Sequence, residues 1–473
     1  MSSQAPLRGE KFHLIGVGGA GMSVIAELLA SKGGEVSGSD RLETPVVTGL
    51  VDKGIDAYCP HDATRLPSDA TVVVSSAIRE TNPELMLARE RGHQIIHRSQ
   101  ALALVAQGQS FVAVAGAHGK TTTSAMIAVA LLSAGADASF AIGGPVLGEG
   151  TGARMGEGVF VAEADESDGS FLHYSPEVAV ITNVEPDHLD HFGTHAEFMR
   201  VFEQFVERIV PAGTLVCCEE DLGSASLADF ARRNREDLQV ITYGRPDKSE
   251  HPPTISITEV ELGSSSASAL FTCAGSTYPV ELRVTGEHNV LNAAGAWAAC
   301  VAVGIGESEA AWALRDFCGA GRRFEKRGEV AGRRVFVDYA HHPTEVQAAL
   351  KQGRLVAEEG RLIAVFQPHL YSRTRNFADR FAEALSQADE VVLTDIYAAR
   401  EDPIPEVTSR LVSDSPFLTA PHYFVEDAQE AAALAASLTG AGDICLLVGA
   451  GDIFEQSSTV IQTWKDCADG EAE

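Results

Sequence analysis

The densest concentration of chemistry in this chain is Gly116-Ala-His-Gly-Lys120-Thr-Thr-Thr123, directly behind the apolar run Phe111–Ala115. A short buried strand that runs into two glycines, a lysine and hydroxyls, then into a helical stretch (Ser124–Leu132), is how a backbone cradles polyphosphate. Amide N–H groups and the helix N-terminus meet the oxygens, Lys120 adds a point charge, and Thr121 or Thr122 reaches a magnesium ion. Only Ala117 and His118 separate Gly116 from Gly119, where the common phosphate loop has four residues between its glycines. A purely steric glycine turn would need neither the lysine nor the hydroxyls, so the pattern implies ATP, held through Gly116, Ala117, His118, Gly119, Lys120, Thr121 and Thr122.

A second glycine-rich turn, Gly16-Val-Gly18-Gly19-Ala20-Gly21, follows the apolar run Phe12–Val17 and leads into a helix over Met22–Ser31. A strand near Glu35–Ser37 then ends in Gly38-Ser39-Asp40. Glycine spacing, strand–turn–helix context and an acidic residue about twenty positions on match the dinucleotide fingerprint. What such a loop recognises is a diphosphate beside a ribose, so NAD and a UDP-sugar both satisfy it. The strand Thr71–Val74 ends in Ser75-Ser76, another strand lies near Gln94–Ile96, and Ala101–Gly108 reads as a helix and linker.

Carboxylates follow two further strands. Val159–Ala162 runs into Glu163-Ala-Asp165-Glu166-Ser-Asp168, and Val178–Thr182 into Asn183-Val-Glu185-Pro-Asp187-His188-Leu-Asp190-His191. Hard oxygen donors with one imidazole at the C-terminal ends of strands suit Mg²⁺ on nucleotide phosphates. Asp165 and Asp168 also admit a plainer reading as a solvated loop. His188, His191 and His195 raise zinc, but Phe192-Gly193-Thr194 interrupts a helix and no general-base Glu follows the first His. Asn289, at the start of the Ala-rich helix Ala293–Val303, reads as a cap or as an amide facing a base. Thr254–Tyr278 reads as a polar, peripheral hairpin region.

Farther on, strand–loop–helix units recur. Val335–Val337 leads into Asp338-Tyr339-Ala-His341-His342, Leu362–Phe366 into Gln367-Pro-His369-Leu370-Tyr-Ser-Arg373, and Glu390–Thr394 and Ile444–Val448 into further polar tips. Each polar cluster falls at the end of a strand, so the clusters gather on one edge of a parallel sheet. Any one of the histidines alone reads as a core residue; together with Arg373 they read as an anion site.

The elements that must position these groups define an α/β chain of three domains, each a largely parallel sheet with flanking helices. The division is 1–108, Rossmann-like; 109–321, with the phosphate loop; and 322–473, Rossmann-like again. A length of 473 residues supports that count. The formal charge of −30 excludes general nucleic-acid binding and docking on anionic membranes, and requires any anionic ligand to be held by local donors. The surplus acid is read as solvating surface or as adaptation to a saline cytoplasm. No apolar run reaches the length of a bilayer span, Met1–Lys11 lacks a signal peptide's apolar segment, and the eight cysteines contain no C-x-x-C pair. The expected protein is cytoplasmic, with reduced thiols, no membrane insertion, and a monomeric or dimeric state.

Taken in order, the motifs resemble the Mur ligase family of ATP-dependent amide-forming enzymes over nearly the whole chain. The resemblance rests on Gly16–Ser23, Gly38–Asp40, Gly116–Thr123, Glu163–Asp168, Asn183–His191, Gly286–Asn292, Gly321–Glu325, Asp338–Glu345 and Phe366–Thr374. It implies that L-alanine is joined to the lactyl carboxylate of UDP-N-acetylmuramate through an acyl phosphate, with release of ADP and phosphate. It further implies that Gly18, Gly19, Ala20, Gly21, Ser39, Asp40, Ser75 and Ser76 bind the UDP-sugar. Lys120 meets the β/γ-phosphates, and Thr121 and Glu163 ligate Mg²⁺, with His188 at a second ion and Mn²⁺ as a substitute metal. Asn289 stands on the adenine side, Arg323 at the γ-phosphate and Asp338 at the ribose. Tyr339, His341, His369 and Arg373 hold the substrate carboxylates.

Three departures stand out. The family has Thr where Ala117 stands, and many of its alanine-adding members have Arg in place of Leu370. The carbamylated lysine that other members use has no counterpart, because no lysine occurs between Lys120 and Lys248. Glu203 is the expected substitute at the second metal. Three rivals remain: a tripeptide-recycling ligase of the same family, an NAD dehydrogenase, which leaves the Lys120 loop unexplained, and a non-catalytic nucleotide-binding scaffold, which leaves Lys120, Glu163, His188 and Arg323 without a purpose.

Overall fold

Runs of consecutive apolar residues fold as strands buried on both faces, which need no polar alternation because helices cover both sides of a parallel sheet. The computed structural model describes residues 6–185, 194–399 and 401–470. A first sheet of β1 (Lys11–Ile15), β2 (Glu35–Ser39), β3 (Asp56–Tyr58), β4 (Thr71–Val74) and β5 (Ile95–His97) has the order β3-β2-β1-β4-β5. All its pairings are parallel. The order reverses between β1 and β4, so the loops leaving those two strands, Gly16–Gly21 and Ser75-Ser76, flank the crevice where open α/β sheets bind ligands.

The second sheet contains β6 (Phe111–Ala115), β7 (Ser139–Val146), β8 (Thr151–Arg154), β9 (Phe160–Glu163), β10 (Val178–Ile181), β11 (Thr214–Cys218), β12 (Gln239–Gly244), β13 (Ile255–Leu262), β14 (Ala267–Cys273) and β15 (Ser276–Leu282). Its order, β15-β14-β13-β12-β11-β10-β6-β9-β7-β8, places β6 between β10 and β9, parallel to both. The lysine loop, the acidic run and Asn183–Glu185 therefore leave three adjacent strand ends. The segment expected as a peripheral hairpin extends this sheet as three strands. Ala274 and Gly275, with φ of 49° and 82°, make the β14–β15 turn, and Phe271 is fully buried with its ring 6.2 Å from that of Trp297. The region thus lies at the sheet's edge yet supplies core.

The third sheet has β16 (Glu325–Val330), β17 (Arg333–Asp338), β18 (Leu362–Phe366), β19 (Glu390–Leu393), β20 (His422–Phe424) and β21 (Ile444–Val448), in the order β16-β17-β21-β18-β19-β20. Only β16 runs antiparallel to its neighbour. By internal contacts the chain separates into two compact units. One reaches Thr258 and includes Leu270–Val280 and Leu291–Phe317; the other comprises Glu259–Ala269, Glu281–Val290 and Cys318 onward. No helix among the described residues is long and apolar enough to cross a membrane.

The helices that carry or support the site are α1 (Ala20–Ser31), α2 (Pro83–Glu90), α3 (Arg98–Ala106), α4 (Lys120–Ser133), α5 (His195–Glu207), α6 (Glu287–Ala302), α7 (Pro343–Ala357) and α8 (Tyr371–Leu385). After Lys120, the first turn of α4 holds three β-branched threonines, which are poor helix formers, yet every residue from Thr121 to Leu131 is buried. Tertiary burial, not intrinsic propensity, holds this helix. α5 places Phe198, Phe202 and Phe205 on one face, and Phe171 stacks on Phe205 with centroids 4.5 Å apart.

Candidate active site

The lysine loop depends on glycines at two points. Gly116 has φ of +131°, and a Cβ there would stand 2.2 Å from Thr182 Oγ1. Gly119 has φ of +84°, and a Cβ would stand 2.6 Å from Asn292 Oδ1. The end of β10 braces the loop from below. Thr182 Oγ1 donates to His118 O at 2.5 Å and Asn183 Nδ2 to the same oxygen at 2.9 Å, while Asn183 Oδ1 accepts from His118 N at 2.9 Å. His118 Nε2 lies 2.9 Å from Glu185 Oε2. Gly116→Ala is expected to force the loop off this bracing and to weaken nucleotide binding by about tenfold or more, since strain there costs roughly 1–3 kcal/mol. Calorimetric titration with a non-hydrolysable ATP analogue checks it; an unchanged Kd would show that the loop's conformation is not what binds phosphate.

Lys120 opens α4 and turns its ammonium back over the loop, donating to Gly116 O at 2.5 Å, Ala117 O at 3.2 Å and Glu166 Oε1 at 2.9 Å. Burial alone would pull its pKa down, but the carboxylates of Glu166, Asp165 and Glu163 outweigh burial and hold it above the ordinary lysine value. Thr121 Oγ1 donates to Glu163 Oε2 at 3.1 Å, and Glu163 Oε1 accepts from Gly143 N at 2.8 Å. Lys120, Thr121 and Glu163 are thus brought together, and the donors around them are oxygens, the set a hard divalent cation prefers. With glycines shaping a polyphosphate cradle beside it, the residues present fit Mg-ATP.

Glu166 is the residue that reasoning from spacing missed here. It is 1% exposed and is the lysine's carboxylate partner. Its place three residues beyond Glu163 was visible in the sequence; its direction was not. Asp165 and Asp168 correct the alternative of a solvated loop. Asp165 Oδ2 accepts from Arg98 Nη2 at 2.5 Å, and Asp168 Oδ2 lies 3.5 Å from His97 Nε2. His188 and His191 lie outside the described residues. His195 opens α5 behind the N-cap Thr194. Glu203 is half-buried on α5.

In the first sheet, Asp40 Oδ2 accepts from Gly18 N at 2.8 Å, and Ser39 O accepts from Gly16 N and Val17 N at 2.7 and 2.9 Å, so the end of β2 shapes the glycine loop. Gly19 is the N-cap of α1, with Ala20 and Gly21 in its first turn; Ser75 is half-buried and Ser76 exposed beyond β4. Ser39 is the exception to the expected UDP-sugar set. It is fully buried, and its hydroxyl donates to Glu84 Oε2 and lies 2.7 Å from His61 Nδ1. Ser39 thus supports the loop from inside, with its hydroxyl bonded to Glu84 and its carbonyl to Gly16 N and Val17 N.

In the second unit, Asp338 at the end of β17 accepts from Phe324 N and Ala340 N, both at 2.8 Å, fixing the turn that presents Arg323. Burial raises its pKa to about 6, against the opposing pull of Arg323 and the two backbone donors. The Arg323 guanidinium lies 5.0 Å from the centre of the Tyr339 ring. α7 starts in a capping box formed by His342 and Glu345, with Pro343 at its first turn, and Glu345 Oε2 also accepts from His341 N at 2.9 Å. The four residues expected to hold carboxylates are brought together. The rings of Tyr339 and His341 are 5.3 Å apart, those of His341 and His369 5.9 Å, and Arg373 Nη1 lies 3.4 Å from His369 Nδ1. Arg373 is only 6% exposed, and Leu370, next to His369, holds a φ of +71° where α8 begins. Asn289 is not a helix cap. It sits in the first turn of α6, and its Nδ2 donates to Thr285 O at 2.7 Å.

Comparison with known proteins covers the same residues. The family description "Mur ligase family, catalytic domain" matches residues 11–110, "Mur ligase middle domain" residues 114–300, and "Mur ligase, glutamate ligase domain" residues 322–451. A UDP-N-acetylmuramate–L-alanine ligase of Kineococcus radiotolerans is 52% identical over 448 residues, 94% of each chain. The enzyme of the same name from Mycolicibacterium smegmatis is 46% identical, over 94% of this chain and 93% of its own. The solved structure of a Thermotoga maritima UDP-N-acetylmuramate–alanine ligase superposes with a TM-score of 0.81 at 29% identity, covering 97% of this chain and 99% of that one. A murein peptide ligase from Psychrobacter arcticus shares the fold, with a TM-score of 0.71 at 24% identity over 96% and 99% of the two chains. With its three domain matches in order and its lysine loop and acidic strand ends inside them, the chain belongs to the Mur ligase family.

Proposed function

We propose that this chain joins L-alanine to the lactyl carboxylate of UDP-N-acetylmuramate, at the expense of ATP, as a step in making peptidoglycan precursors. The observation that carries the reading is the meeting of Lys120, Thr121, Glu163 and Glu166 at the ends of two adjacent parallel strands, β6 and β9. The names of the relatives support the substrate pair.

A carboxylate is a poor acyl donor, so one of its oxygens first attacks the γ-phosphorus, forming an acyl phosphate and releasing ADP. The alanine amine then adds to the carbonyl carbon, loses a proton, and the tetrahedral intermediate expels phosphate. Lys120 balances charge on the β/γ-phosphate oxygens, as its fixed ammonium over the loop allows. Gly116, Ala117, His118, Gly119 and Thr122 form the cradle around the phosphates, with Ala117 N and His118 N braced by Asn183. Thr121 and Glu163 hold Mg²⁺, with His188 and Glu203 at a second ion that Mn²⁺ can replace. Bound there, the metal offsets charge on the phosphoryl oxygens. Gly18, Gly19, Ala20, Gly21, Asp40, Ser75 and Ser76 bind the UDP-sugar. Asn289 serves the adenine, Arg323 the γ-phosphate and Asp338 the ribose; Tyr339, His341, His369 and Arg373 hold carboxylates. The domains divide at 1–108, 109–321 and 322–473, and the enzyme works in the cytoplasm as a monomer or dimer.

With ¹⁸O in the lactyl carboxylate, one ¹⁸O should appear in the released phosphate; its absence would exclude the acyl phosphate. Arg373→Ala should lower kcat/KM for alanine and the sugar nucleotide by about 10²-fold, the scale of losing one charge-assisted contact to a carboxylate. Unchanged values would remove Arg373 from the site. Glu203→Gln should raise the Mg²⁺ concentration needed for half-maximal turnover severalfold, and an unchanged Mg²⁺ dependence would exclude Glu203 as a ligand.

A further inference from the structure

The acidic run beyond β9 serves two loops at once. Glu163 and Glu166 meet Thr121 and Lys120, whereas Asp165 and Asp168 meet Arg98 and His97, where β5 passes into α3. Arg98 follows β5 directly and opens α3. Its Nη2 donates to Asp165 Oδ2, and its Nη1 is directed at the first turn of α1, where a Cβ on Gly21 would stand 3.2 Å away. That end of α1 has a glycine N-cap, no side-chain capping bond and no acidic residue in its first turn.

A diphosphate at this loop enters a protein of formal charge −30, whose background field repels it. Three other cations of the first domain are spent on exposed carboxylates: Lys11 on Asp69, Arg65 on Asp56 and Arg89 on Glu80. Arg98 instead lies against the glycine loop. A guanidinium offers donors on more than one edge, so it can keep its bond to a carboxylate while presenting another edge to phosphate oxygens. Asp165 is itself fixed, through Ser167 N at 3.0 Å and the nearby charge of Lys120.

We propose that Arg98 is the cation that grips the diphosphate of the sugar nucleotide, with Asp165 as its positioning residue. The inference rests on reading Gly18–Gly21 as the sugar-nucleotide loop. One ion pair would then stand between the first ligand and the acidic run of the lysine loop. It also gives Gly21 a reason, since a side chain there would push Nη1 away from the helix end.

Calorimetric titration of the full chain with uridine, UDP and UDP-N-acetylmuramate at fixed ionic strength tests this. The wild-type protein should bind UDP at least tenfold more tightly than uridine. In Arg98→Gln that preference should fall about tenfold or more, while affinities for uridine and for an ATP analogue stay within twofold. Arg98→Lys should keep part of the preference. Asp165→Asn, which retains the cation but loosens it, should weaken UDP and spare uridine. Equal losses for uridine and UDP in both Arg98→Gln and Asp165→Asn, or no loss for UDP in Arg98→Gln, would overturn the proposal. A wild-type protein that binds neither uridine nor UDP would overturn the reading of the loop itself, and this inference with it.

Discussion

Lys120→Ala is expected to lower ligation by about a thousandfold or more while UDP-N-acetylmuramate still binds. The ammonium is held over the loop by Gly116 O, Ala117 O and Glu166, and the surrounding carboxylates keep it protonated at any working pH. It is therefore a permanent charge held over the glycine turn of the loop. Removing a preorganised charge from a phosphoryl-transfer site costs roughly 10²–10⁵-fold. The Gly16–Gly21 loop proposed for the sugar nucleotide leaves a different sheet, so that affinity should survive. Single-turnover rates and calorimetry on the same preparation separate the two quantities. A variant with wild-type turnover would remove Lys120 from the chemistry. Loss of sugar-nucleotide binding as well would mean that the substitution had damaged the fold.

The second large effect is on stability. Glu84 of α2 is fully buried, yet it accepts from His13 Nε2 at 3.2 Å, from Tyr58 OH at 3.0 Å, from Asp62 N at 2.8 Å and from Ser39 Oγ. Burial pushes its carboxyl upward, but the bonds from His13, Ser39 and Asp62 N prevail and bring it down to about 2. Because the folded pKa is depressed, the stabilisation is present above the unfolded value of about 4.3 and is lost as pH falls toward 2. Glu84→Gln should destabilise the first domain by on the order of 3 kcal/mol near neutral pH. The gap between wild type and variant should close on acidification from about pH 4 to pH 2. Hydrogen exchange at Gly16 and Val17, whose amides donate to Ser39 O, reports it locally. A gap that is constant with pH would show that the charge on Glu84 is not what stabilises the domain.

The strands were legible where the physics is local. Phe111–Ala115, Thr71–Val74, Leu362–Phe366 and Ile444–Val448 read directly from the chain as apolar runs, and they fold with those bounds. Glycines followed by a lysine and hydroxyls marked the turn from β6 into α4 for the same reason, since the backbone conformation they require is set by neighbours in sequence. What the chain did not disclose is pairing across long separations. Ser39 and Glu84 lie 45 residues apart, and Arg98 and Asp165 lie 67 apart. No periodicity says that β2 turns Ser39 inward onto a carboxylate carried by α2. Nor does the acidic run reveal that its carboxylates divide between two loops. Asn289 shows the same limit on a smaller scale: of its two readings, cap or amide facing a base, the first fails because α6 starts a few residues earlier and makes it a first-turn residue bonded to Thr285 O.

The most direct test of the central claim is phosphate release by the purified chain with Mg-ATP and UDP-N-acetylmuramate, with and without L-alanine, followed by mass analysis of the sugar nucleotide. Release that requires alanine, with a product heavier by one alanine residue, is the predicted result. Turnover supported only by a preformed tripeptide, or ATP binding without turnover on either amine, would contradict it.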